Sequence, residues 1–111
     1  MKNSYTLKWV IQRITALFLI PLSLWFVYKC ISFQNLNFFE LREFFKSYIN
    51  SSLFFIMMST MLIHSKLGFD TIIQDYISSS YLKKFCKASI NLISFLSLLI
   101  VFLAIVRLAI F

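Results

Sequence analysis

A single glycine, a single proline and a single histidine occur in these 111 residues, with two cysteines and only four carboxylates. So little glycine and proline argues against a loop-rich or strand-rich design, because tight turns draw on those residues. Cys30 and Cys86 lack metal-ligand spacing and read as structural. The few acids stand against 11 Lys and Arg, which leaves a net charge of +7, yet charged residues make up only 14% of the chain. No basic patch on a soluble scaffold is present, so nucleic acid is a poor partner. No flavin motif, cysteine cluster or hydrolytic constellation is present either. What fills the chain instead is apolar: 60% hydrophobic and 19% aromatic residues, with a mean hydropathy of +0.84. A soluble domain of this length cannot hide so much apolar surface, which points to a membrane class.

Three runs match the roughly 20 residues that carry an α-helix across a hydrocarbon core. They lie at about 14–33 (with Lys29 snorkelling outward), 47–74 and 88–107. Their uncharged stretches, 14–28, 47–65 and 88–106, are continuously apolar, without the alternation of barrel strands. The expected fold is therefore all-α, one three-span unit over 1–111, with polar connections at 34–46 and 77–87. The basic start followed by "ITALFLI" resembles a signal peptide, but no small-x-small cleavage site follows, so the first span is expected to stay. Pro21 is expected to bend it. Cys30 and Cys86 fall at opposite membrane faces and are not expected to pair. Lys2, Lys8 and Arg13 precede the first span, and Lys66, Lys83, Lys84 and Lys87 surround the second connection. Arg42 and Lys46 in the first connection are offset by Glu40 and Glu43. The N-terminus and the second connection should therefore face the cytoplasm.

The stretch "HSKLGFDTIIQDY", 64–76, breaks the apolar pattern. If the second helix continues to about Gln74, His64 lies near mid-bilayer. At about 100° per residue, with His64 at zero, Gly68 falls at about 40°, Thr71 at about −20° and Asp75 at about 20°. One face then carries all four. Gly68 permits something flat and bulky close to the backbone, and neutral imidazole is a strong haem-iron ligand. A lone helical histidine in a soluble protein is usually just a hydrogen-bonded residue, but an ionisable group inside a span is by default a functional candidate. Lys66 and Asp70 lie on the far side of the wheel, four residues apart, and can pair against a partner subunit.

These residues carry a resemblance. "HSKLGFDTIIQDYI" is similar to the signature of the hydrophobic membrane-anchor subunit of succinate dehydrogenase, respiratory complex II, in its alphaproteobacterial-like form. The matching positions are His64, Gly68, Ile72, Ile73, Asp75 and Tyr76, and "WVIQRITA" resembles that family's start of the first helix, with Arg13 and Thr15 in place. Lys66 and Asp70 depart from it in being more polar. The resemblance implies a non-catalytic anchor in a bacterial inner membrane, its bundle completed by a cytochrome-b subunit. It implies association with an iron–sulfur subunit and a flavoprotein that oxidises succinate, in electron transport and the tricarboxylic acid cycle. His64 would be an axial ligand of a haem b shared with the cytochrome-b subunit, and Gly68 would pack against the ring. Tyr76 and Asp75 would line the ubiquinone site, and Arg13 would lie near the haem propionates or the quinone. Asp75 stands about 16 Å beyond His64 at 1.5 Å per residue, about the separation of a mid-bilayer haem from an interfacial quinone. A small pore-forming, holin-like protein or an accessory subunit of another membrane complex shares the layout. A holin has no use for His64, Gly68 and Asp75 on one face.

Overall fold

The computed structural model describes residues 2–33 and 37–111, and the beginning of the first connection, 34–36, lies outside them. The described regular structure is all helix: α1 (Lys2–Ser32), α2 (Phe38–Lys46), α3 (Tyr48–Tyr76) and α4 (Ser80–Ile110). Three stretches are long and apolar enough to cross a membrane: Tyr5–Ser32, Tyr48–Tyr76 and Ser80–Ile110. The all-α, three-span class expected from the sequence is what forms. The molecule is 49 Å long, so helices that cross a core of about 30 Å project into both headgroup layers. α1 runs through Pro21 as one continuous helix.

Helix ends depart from the expected spans because charge ends a hydrophobic run without ending a helix. α4 starts at Ser80, and the Ser79 side chain caps it by accepting from the Leu82 amide at 3.4 Å. Most of the second connection is thus the first turns of α4, and its lysines continue a helix into the polar layer. The first connection also contains structure that charge density obscured. Asn37 accepts from the Glu40 amide at 2.8 Å and starts α2. The segment "FFELREFFK" then buries Phe44 and Phe45 while Glu43 and Lys46 pair in the open at 3.3 Å. Trp25 of α1 stacks on Phe44, and Phe33 and Phe45 meet that ring edge-on.

α3 is the central helix, packed against both α1 and α4, while α2 lies against α3 and α4. α1 and α3 run antiparallel. Phe26 meets Phe54 at one end, Thr15 meets His64 midway, and Lys8 meets Asp70 at the other. Phe55 faces Phe102 across the α3–α4 contact. Few side chains are enclosed; Met57 and Ile73 are the buried apolar residues of α3. The outer faces of α1 and α4 carry rows of exposed apolar residues such as Leu17, Leu24, Phe95 and Ile100, as a lipid or protein environment requires.

Candidate functional site

The polar centre of the α1–α3 contact is built around His64. Its Nδ1 lies 3.1 Å from the Gln12 main-chain oxygen and 3.1 Å from Thr15 Oγ1. A carbonyl only accepts, so Nδ1 carries the ring proton. The Thr15 hydroxyl donates to the same Gln12 oxygen at 2.9 Å and offers a lone pair to Nδ1–H. Thr15 is buried, 8% exposed, although it is polar. Nδ1 is thus engaged with α1, and in the neutral ring the lone pair falls on Nε2. That is the arrangement of a metal-ligating imidazole, whose second nitrogen donates to a carbonyl or carboxylate.

Gly68 lies one turn beyond His64 and also faces α1. A Cβ there would meet only Gln12 Nε2, at 3.7 Å, an ordinary contact. Helix packing within this chain therefore does not require the glycine. Asp70 differs from its expected pairing. It faces Lys8 of α1, 3.9 Å away, because the antiparallel register brings the start of α1 beside the end of α3. Lys66 has no ion pair among the described residues.

At this end of the bundle a cleft of about 590 Å³ opens between the beginnings of α1 and α4 and the end of α3. Trp9, Gln12, Asp70, Thr71, Asp75 and Lys87 are among the residues lining it. Asp75 and Tyr76 diverge. Asp75 lines the cleft, whereas Tyr76, the last residue of α3, is 82% exposed and does not line it. Arg13 is exposed, with its guanidinium 5.3 Å from the centre of the Trp9 ring. The structure thus joins His64 to Thr15 and Gln12, sets Gly68 beside them, and keeps Asp75, Tyr76 and Arg13 apart. The Gln12 carbonyl was not legible in the sequence, because a backbone acceptor has no residue signature. Thr15 stood in the N-terminal motif without a role.

A three-span helical membrane protein with a histidine anchored between two spans is the class that this fold and this centre define. The chain belongs to the succinate dehydrogenase/fumarate reductase transmembrane subunit family, which it matches over residues 2–106. It is similar to a succinate dehydrogenase hydrophobic membrane anchor subunit from Rickettsia bellii (strain RML369-C), 33% identical over 90 residues, 81% of this chain and 72% of the relative. A protein of the same name from Rickettsia felis (strain ATCC VR-1525 / URRWXCal2) is 29% identical over 82 residues, 74% of this chain and 68% of the relative. The chain is accordingly a multi-pass membrane subunit of the succinate dehydrogenase type.

Proposed function

We propose that this chain is the non-catalytic membrane anchor of a succinate:ubiquinone oxidoreductase. It sits in a bacterial cytoplasmic membrane with its N-terminus inside. Its partners are a cytochrome-b membrane subunit, an iron–sulfur subunit and a flavoprotein that oxidises succinate. The family and the relatives' names support the class of complex. The observation that carries the finer reading is the Nδ1–H of His64 held on the Gln12 carbonyl, which leaves Nε2 free to bind iron. With one histidine in the chain, His64 would hold a haem b together with a residue of the cytochrome-b subunit. When bound, such a haem supplies one-electron redox capacity within the bilayer.

The chain's own residues do the rest by binding and orienting. Gly68, one turn beyond His64, would let a flat ring come close to the α3 backbone. The exposed Tyr76 phenol at the end of α3 donates a hydrogen bond to a quinone carbonyl oxygen, with its ring against the apolar head group. Asp75, one residue before it, holds a carboxylate near water to orient basic groups or pass protons. Arg13 neutralises negative charge near the haem propionates or the quinone. His64→Leu in the purified complex tests the haem assignment, since Leu is at home in a span. The expected result is loss of the low-spin haem b absorbance with the chain still in the membrane. An unaltered haem spectrum would remove His64 from the site.

A further inference from the structure

We infer that Thr15 is a positioning residue for the iron-binding nitrogen of His64, setting the orientation and electron density of the imidazole. This inference rests on the proposal that His64 ligates haem. Thr15 is the buried polar side chain of the described structure, and it lies on a different helix from the histidine. Its hydroxyl closes a three-membered set. Thr15 Oγ1 donates to the Gln12 oxygen at 2.9 Å, and His64 Nδ1 stands 3.1 Å from both. The hydroxyl proton is already committed to the carbonyl, so toward the imidazole the oxygen can act only as an acceptor. Nδ1–H is therefore shared between two acceptors held at fixed spacing on one turn of α1.

Two acceptors do what one does less well. A single carbonyl allows the ring to swing about the Nδ1–H···O axis, whereas a second acceptor on the same turn limits that rotation. Sharing the proton with two oxygens also draws it from the ring more strongly. The imidazole gains imidazolate character and becomes a stronger donor through Nε2. Stronger donation favours ferric over ferrous iron and lowers the reduction potential. These hydrogen bonds are partly buried between α1 and α3, which limits their competition with water and strengthens the effect.

The test uses the detergent-purified, intact complex carrying Thr15→Val or Thr15→Ser, with wild type and His64→Leu alongside. Thr15→Val keeps the β-branched shape and removes the hydroxyl. The expected result is an upward shift of the haem midpoint potential in a spectroelectrochemical titration. Altered or broadened low-spin resonance signals should accompany it. Thr15→Ser restores the hydroxyl and should return both measurements to wild type. A Thr15→Val complex with wild-type potential and resonance signals overturns the inference, as does a Thr15→Ser complex displaced as far as Thr15→Val. If Thr15→Val fails to assemble, Thr15→Ser decides: wild-type values uphold the role of the hydroxyl, and failure to assemble overturns it. The underlying proposal fails separately, through a haem spectrum indifferent to His64→Leu.

Discussion

At the scale of single residues, the His64 environment separates what each side chain contributes. Gly68 would admit a methyl group against Gln12 at 3.7 Å without displacing anything. Gly68→Ala should therefore assemble with an unchanged haem spectrum, and α3 should gain up to about 1 kcal/mol in helix propensity. Gly68→Leu should disturb the spectrum, because its side chain would fill the space assigned to the ring. Equal spectra for the Ala and Leu variants would show that nothing packs there. Tyr76→Phe retains the ring and removes the hydroxyl. Loss of a hydrogen bond to an oxygen gaining negative charge costs about 1.5–3 kcal/mol, so quinone reduction should fall roughly tenfold or more. Succinate oxidation by a soluble artificial acceptor should persist, because it bypasses the membrane site. Quinone reduction at the wild-type rate would withdraw Tyr76 from the site.

At the scale of elements, hydropathy located the three spans, and helix termini were where it was weakest. The amide-capping side chains of Asn37 and Ser79 begin helix inside segments whose charge density points to connections, whereas Ser47 caps α3 where the second span is expected to start. The period of "FFELREFFK" is present in the sequence, but its charges mark it as part of a polar connection. Which residues meet across helices was less legible still. The wheel grouped His64 and Gly68 on one face of α3, and both do face α1. It set Asp70 on the far side with Lys66, whereas the register joins Asp70 to Lys8. That choice depends on where α1 lies, which one helix's periodicity does not contain. The aromatic cluster holding α2 should be sensitive to truncation. Phe44→Ala should cost on the order of 3 kcal/mol, read as lower heat stability in detergent and faster proteolysis between α1 and α3. Asp70→Asn should change stability by less than about 1 kcal/mol, because Lys8 is 51% exposed and the pair is long. Unchanged proteolysis in Phe44→Ala would show that α2 is held by something other than this cluster.

At the scale of the whole molecule, three long helices with little enclosed volume leave most apolar side chains facing outward. Lipid would cover such faces, and the proposed cytochrome-b subunit would cover part of them beside His64. The excess of Lys and Arg at the N-terminus and around the second connection should place a reporter fused at either position in the cytoplasm. That orientation sets the exposed end of α3, with Tyr76, on the side where a cytoplasmic iron–sulfur protein would dock. The family was legible from "HSKLGFDTIIQDYI" and "WVIQRITA"; the engagement of His64 Nδ1 with α1 was not, since it depends on two helices meeting. On the proposed function, this chain anchors a succinate-oxidising complex. Affinity purification of the tagged chain from native membranes in mild detergent, followed by subunit identification and a succinate-oxidation assay, tests it most directly. A flavoprotein, an iron–sulfur protein and a second membrane subunit should elute together with the activity. Recovery of the chain alone, or with an unrelated complex and no succinate oxidation, would contradict it.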